Sequence, residues 1–262
     1  TTPRLAAASG APSPARRVVA RLISDEAAMR AARTESQQLQ AQPAPPDLLG
    51  QVRLTFASFN SGYAFREAAR DEQDQIDAAA ADPALAADVE RRAPAPISSA
   101  VARSVRAIQA IRRLAGITDP SQIHYHLRAF DESTPPQQLL AYYRAAAARS
   151  GIDWTYLAAI NYVESDFGRD VGPSGAGALG PMQFEPATWQ EYGHGGDILD
   201  PRTAIFAAAR YLANNGAPGD MHGAVFAYNH DQDYVIAVSS YAAAMRADAG
   251  WLDRYYCWST FG

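Results

Sequence analysis

The sequence of 262 residues contains no lysine, and all 23 of its basic residues are arginines. This absence excludes Schiff-base catalysis by lysine and a phosphate-binding loop that depends on a lysine ammonium group. Cysteine is almost as scarce. Because Cys257 has no second cysteine to pair with, an internal disulfide is impossible and cysteine usage does not indicate the cellular compartment.

Long apolar runs are also missing, so the sequence predicts no transmembrane segment. Residues 1–14 lack the apolar stretch of a signal peptide, and any leader would have to be absent from this chain. The net charge of −5 is unevenly spread: residues 1–130 carry 16 arginines against 13 acidic residues, and residues 131–262 carry 7 against 15. Such an acidic second half argues against nucleic acid as a ligand, since neutralising phosphates needs clustered arginines.

The first half contains helix-forming sequence interrupted by prolines. Residues 1–16 predict a disordered leader, and residues 17–130 predict a helical N-terminal region with breaks near Pro43, Pro83 and Pro94. The run 52–59 fits either a strand or a helix. No functional motif occurs in this region, which we expect to be a packing or spacer region, or an arm that binds a partner or inhibits the second half of the chain.

The second half has a denser pattern of helix signals. Helices are predicted from about residue 134 to 151, then over 154–165, 186–192, 201–214, 223–228 and 234–248. These elements predict a compact all-α domain over residues 131–262. The aromatic tail 251–258 is expected to pack in its core or to line a groove.

An acidic residue stands at the end of one of these helices. Leu157, Ile160 and Asn161 precede Glu164 by seven, four and three residues, so all four side chains share one helix face. Burial on this largely apolar face disfavours the charged carboxylate and raises its pKa, as a general acid for glycosidic bond cleavage requires. A single glutamate on a helix is nevertheless more often structural, so its surroundings decide the interpretation.

Those surroundings favour a sugar-binding groove. Gly168 and the glycines of the loop 172–180 let the backbone approach a ligand closely. The segment 180–189 adds an amide, a thioether and aromatic rings, although such residues are more often core. Tyr228 and Asn229 supply a hydroxyl and an amide.

Three strings of residues together resemble a known family. Glu164-Ser165-x-x-Gly168, the string 180–189 and Ala227-Tyr228-Asn229-His230 are similar to motifs of bacterial lytic transglycosylases with a goose-lysozyme-like (SLT) catalytic domain. The string from Gln183 to Trp189 most resembles the membrane-bound lytic transglycosylase B group and its actinobacterial relatives. The resemblance covers roughly residues 134–248. It implies a lysozyme-like α-helical fold and cleavage of the β-1,4 bond between N-acetylmuramic acid and N-acetylglucosamine, with a 1,6-anhydromuramyl product.

The resemblance also implies roles for individual residues. Glu164 matches the single catalytic acid, which then acts as the base. The remaining matches are groove residues at Gln183 and Phe184, substrate-positioning residues at Tyr228 and Asn229, a tyrosine that bonds the catalytic carboxyl at Tyr234, and a serine near the intermediate at Ser174. Glu185 and the acidic string 231–233 depart from the family pattern, which affects subsite preference more than chemistry.

Partners and alternatives follow from the same motifs. We expect peptidoglycan glycan strands as substrate, an extracytoplasmic, secreted or wall-associated location, and neither a cofactor nor a metal, since no Asp-x-Asp-x-Asp-Gly calcium loop is present. One alternative is a goose-type muramidase that hydrolyses the same bond with water and a second carboxylate. Its candidates are Asp170, Asp197, Asp200, Asp231 and Asp233. The other alternative is a wall-binding protein without activity.

Overall fold

The computed structural model describes residues 11–119 and 133–258, and within these ranges the only regular elements are eleven α-helices. An isolated antiparallel bridge joins Leu179 and Phe184. The all-α fold class is therefore confirmed. The helices are α1 (Pro14–Gln40), α2 (Leu48–Ala81), α3 (Pro83–Arg92), α4 (Ala95–Leu114), α5 (Pro136–Ser150), α6 (Trp154–Ser165), α7 (Pro186–Tyr192), α8 (Pro201–Asn214), α9 (Met221–Tyr228), α10 (Gln232–Ala247) and α11 (Trp251–Cys257).

The first helix begins inside the segment that the sequence predicts as a leader. Ser13 accepts a hydrogen bond at its hydroxyl from the backbone N–H of Arg16, and Pro14 occupies the first helical turn. Both features start a helix, so α1 begins at residue 14 and not at 17. Residues 1–10 of the expected leader lie outside the described residues.

The run 52–59, for which the sequence left strand and helix open, is helical. Asp47 caps α2 by accepting a 2.7 Å hydrogen bond from the N–H of Gly50. Val52, Phe56 and Phe59 then recur at helical spacing along an exposed face of α2. The expected break at Pro83 is present, since α3 begins there with Asp82 as its cap.

The N-terminal helices pack directly on the second half of the chain. Helix α4 lies along α10, and its buried Ser104 hydroxyl is 2.9 Å from the hydroxyl of Tyr255 in α11. Arg254, also in α11, donates to Glu72 in α2 at 2.7 Å and to Glu26 in α1 at 2.5 Å. The expected boundary at residue 130 lies outside the described residues, and the division into two domains stays a prediction.

Helix α6 lies in the middle of the second half, in contact with α5, α8 and α10. Tyr162 of α6 meets Tyr241 of α10 and Tyr255 of α11 with ring centroids 4.9 and 5.4 Å apart. Trp251 and Trp258 are buried against Tyr255, so the aromatic tail packs in the core. None of the described helices is both long and apolar enough to cross a membrane.

Candidate active site

Glu164 lies in the last turn of α6, which begins where the Asp153 side chain accepts a hydrogen bond from the N–H of Thr155. Leu157, Ile160 and Asn161, which share its face, are completely buried. Glu164 itself is half-buried. The sequence spacing thus places this carboxyl at the edge of the apolar core, as expected.

Two opposing effects set the acidity of Glu164. Burial raises its pKa, whereas the Tyr234 hydroxyl, which donates a 2.6 Å hydrogen bond to Oε1, lowers it. Burial is the larger effect, and the pKa is raised from 4.5 to about 7. No neighbouring charge contributes to this shift among the described residues. The carboxyl is therefore protonated in a substantial fraction of molecules near neutral pH, which a general acid requires.

Tyrosines connect Glu164 to the loop that follows α6. Tyr234 is buried in the first turn of α10, and its ring is parallel to that of Tyr228 with centroids 6.4 Å apart. The Tyr228 hydroxyl donates a 2.7 Å hydrogen bond to the carbonyl of Met182. Tyr228 therefore holds the backbone of the 180–184 segment, and any contact of this hydroxyl with substrate stays a prediction.

The 180–184 segment is a tight turn that needs glycine at one position. Leu179 and Phe184 exchange two backbone hydrogen bonds of 2.9 Å, which close the turn. Gly180 has φ +79°, and a Cβ atom there would lie 2.1 Å from the carbonyl oxygen of Ile198. Only glycine avoids both the strain and the clash.

Polar side chains of α6 fasten this turn next to Glu164. The Ser165 hydroxyl and the Asn161 amide each donate a 2.6 Å hydrogen bond to the carbonyl of Pro181. Tyr143 donates to Asn161 Oδ1 at 2.5 Å. All three side chains are buried. Sequence patterns alone did not identify these three side chains as part of the site. Asn161 and Ser165 do stand four residues apart on the helix that carries Glu164.

The backbone at the end of α6 is strained. Three consecutive residues lie in the left-handed region, with φ 50° at Asp166, 60° at Phe167 and 84° at Gly168. Asp166 is buried and pairs with Arg169 at 3.5 Å. Such backbone strain often accompanies functional sites.

Gln183, predicted as a groove residue, is half-buried with φ 46°. Its amide nitrogen donates to the carbonyls of Gly172 at 3.2 Å and of Gly180 at 3.0 Å. Gln183 therefore connects the glycine-rich loop to the turn. Its contact with substrate stays a prediction.

Phe184, predicted as a groove residue, is buried in this structure, and its contact with substrate stays a prediction. Its side chain is 3% exposed, and its ring lies 5.5, 6.3 and 5.8 Å from those of Trp189, Tyr211 and Tyr228. The closing bridge to Leu179 places this ring in the core. Phe184 supports the turn from behind.

Ser174 lies in the loop between α6 and α7, and Asn229 follows the last residue of α9. Ser174 is exposed, and its hydroxyl accepts hydrogen bonds from the N–H groups of Ala176 and Ala178 at 3.2 and 3.1 Å. Asn229 is half-buried and ends α9. Both roles implied by the family resemblance stay predictions.

Most of the aspartates that could serve a hydrolase have structural partners. Asp197 accepts from the N–H of Leu199, Asp200 and Asp231 cap α8 and α10, and Arg113 holds Asp233 with three hydrogen bonds of 2.7 to 3.1 Å. Asp170 is exposed and lines the same cavity as Glu164. Among the described residues no group of three or more histidine, cysteine, aspartate or glutamate side chains is arranged to hold a metal ion.

Comparison with known proteins gives one match. Residues 141–249 match the family model described as the transglycosylase SLT domain. No curated protein and no solved structure matches the chain. The match begins within α5 and ends just after α10, and it therefore includes Glu164, the 180–184 turn, Tyr228 and Tyr234. Residues 141–249 are therefore similar to the transglycosylase SLT domain, and they lie within an all-α fold.

Proposed function

We propose that the protein is a peptidoglycan lytic transglycosylase that cleaves the β-1,4 bond between N-acetylmuramic acid and N-acetylglucosamine. The observation that carries this proposal is the half-buried Glu164 carboxyl, whose pKa is raised to about 7 and which Tyr234 holds through a 2.6 Å hydrogen bond. The SLT match over residues 141–249 supports the substrate class. Within the family we favour the membrane-bound lytic transglycosylase B group, on the string from Gln183 to Trp189.

A single carboxyl can perform the whole reaction. Glu164 donates its proton to the glycosidic oxygen as the bond from that oxygen to the muramyl C1 breaks. The 6-hydroxyl of the same muramyl residue then attacks C1, and its proton returns to Glu164. Because the attack is intramolecular, proximity replaces a bound water and the carboxylate that would activate it. The product ends in a 1,6-anhydro ring.

The proposal extends to the setting of the reaction. A peptidoglycan substrate requires an extracytoplasmic, secreted or wall-associated protein. We further propose a cell-wall protein partner for the N-terminal helical region. The direct test is digestion of purified peptidoglycan with mass analysis of the released muropeptides. Anhydro ends, which lack one water, are expected, and Glu164→Gln is expected to abolish their release. Undiminished release by a folded Glu164→Gln variant would reject the proposal.

One observation favours a second candidate, the muramidase. Asp170 is exposed and lines the Glu164 cavity, so it is the aspartate best placed to activate a water. A hydrolase would give reducing muramyl ends and would lose activity in Asp170→Asn. A transglycosylase would keep its anhydro product in that variant. Sedimentation with sacculi without any release of muropeptides would instead indicate a wall-binding protein.

A further inference from the structure

The cavity that Glu164 lines is not built by residues 141–249, which match the SLT model, alone. It measures about 160 Å³, and four of its lining residues come from the N-terminal helices: Gln73 and Asp77 of α2, and Ile108 and Ile111 of α4. On the opposite side lie α6 and the residues that follow it, with Tyr241 and Trp258 completing the wall. The first half of the chain therefore reaches the proposed active site.

The contacts of α4 fix this arrangement near the catalytic carboxyl. Ile108 is buried in the cavity wall, and α4 lies along α10. At the end of α4, Arg113 holds Asp233, the residue before Tyr234, with bonds from both Nε and Nη2. Since Tyr234 in turn bonds Glu164, a continuous set of contacts runs from α4 to the catalytic carboxyl.

The lining of the cavity has the chemistry of a saccharide site. Gln73 offers an amide, which donates and accepts hydrogen bonds, and Asp77 offers carboxylate acceptors while Arg112 balances its charge at 3.1 Å. Ile108, Ile111 and the aromatic residues opposite supply apolar faces of the kind that pack on pyranose rings. The volume exceeds by about tenfold the space that a single water needs.

We propose that α2 and α4 form a saccharide subsite next to Glu164, in which Gln73 is a positioning residue that hydrogen-bonds a sugar hydroxyl or acetamido group. The ligand is a sugar unit of the glycan strand, so this inference rests on the proposed function. The N-terminal helices are then part of the substrate cleft and not only a spacer.

The test measures binding separately from catalysis. Full-length protein with Glu164→Gln is titrated by calorimetry with soluble uncrosslinked glycan strands, with and without Gln73→Leu. Leucine keeps the volume of the side chain and removes its amide. We therefore expect the Kd to rise about tenfold, which corresponds to the loss of one or two hydrogen bonds to a bound ligand. In the active protein, Gln73→Leu is expected to raise KM similarly and to leave kcat within about twofold.

Gln109→Leu is the matched control. Gln109 lies in the same α2–α4 interface and donates to the carbonyl of Ala80 at 3.1 Å, but it does not line the cavity. A purely structural role for Gln73 would lower the thermal stability of both variants and leave both Kd values unchanged, and this result would overturn the inference. A rise in Kd for Gln73→Leu alone would support it.

A second variant fills the space without removing a polar group. Ile111→Phe is expected to weaken glycan binding if a sugar occupies the cavity, whereas an unchanged Kd would contradict the subsite. These readouts do not depend on the reaction type. Reducing ends in the digest would reject the transglycosylase proposal while leaving the Kd comparison intact, so the two failures are distinguishable.

Discussion

The Tyr234 hydroxyl lies 2.6 Å from Oε1 of Glu164 and donates a hydrogen bond to it. Burial of Glu164 favours its neutral form, and this bond favours its charged form, so the two effects act in opposite directions on one proton. The resulting pKa of about 7 allows the carboxyl both to give and to recover a proton at neutral pH.

Removing this hydrogen bond should change the pH dependence of activity. Because Tyr234 lowers the pKa of Glu164, Tyr234→Phe is expected to raise that pKa and to move the alkaline limb of kcat/KM to higher pH. The plateau should fall about tenfold or more as the carboxyl loses its orientation. Tyr211→Phe is the control, since Tyr211 donates to the carbonyl of Ala227 and not to Glu164. An unshifted limb in Tyr234→Phe would contradict the assignment.

Glu164→Gln is expected to increase stability at alkaline pH. The pKa of Glu164 is raised from 4.5 to about 7, so the folded protein binds more protons than the unfolded chain in this window and loses stability as pH rises through it. Glutamine does not ionise and avoids this loss. The free energy of unfolding should exceed that of the parent by about 1–3 kcal/mol at pH 8 and by little below pH 4.5. Urea unfolding curves of the two proteins at both pH values measure this difference in the free energy of unfolding. A difference that does not change with pH would contradict the prediction.

Ser165→Ala should weaken the attachment of the 180–184 turn to α6. The variant loses the 2.6 Å bond to the carbonyl of Pro181 and the 2.9 Å bond accepted from the N–H of Gly168. Removing one partner of a buried bond costs roughly 1–3 kcal/mol, and activity should fall with it as the turn moves. Ser150→Ala is a suitable control, because Ser150 also ends a helix and bonds the carbonyl four residues earlier. Equal effects of the two changes on activity would reject the role of Ser165.

Local pattern predicted a large part of the site. The position of Glu164 on the buried face follows from helical spacing, and the cap at Asp153 and the glycine at 180 follow from turn chemistry. The contact of Tyr234 with Glu164 joins residues 70 positions apart, and the family resemblance supplied it.

Other features depend on tertiary packing and lay beyond sequence patterns. Phe184 reads equally well as a groove or a core residue, and only the closing bridge to Leu179 directs its ring inward. Gln73 and Asp77 carry no motif, and the packing of α2 on α4 and α11 brings them to the cavity. Composition also left the run 52–59 undecided until the Asp47 cap started a helix there.

Arg254 should be essential for holding the two halves of the chain together. Its guanidinium in α11 bonds Glu72 of α2 at 2.7 Å and Glu26 of α1 at 2.5 Å, and burial raises the pKa of Glu72 while Arg254 lowers it. Arg254→Met leaves the buried Glu72 charge without its partner, so we expect a loss of about 3–5 kcal/mol in the free energy of unfolding at pH 8. The loss should shrink at low pH, where Glu72 is protonated.

Adding Glu72→Gln removes the unpaired charge and should recover part of the stability. Chemical denaturation of the single and double variants measures both effects, and a double variant no more stable than Arg254→Met would show that the ion pair does not join the halves.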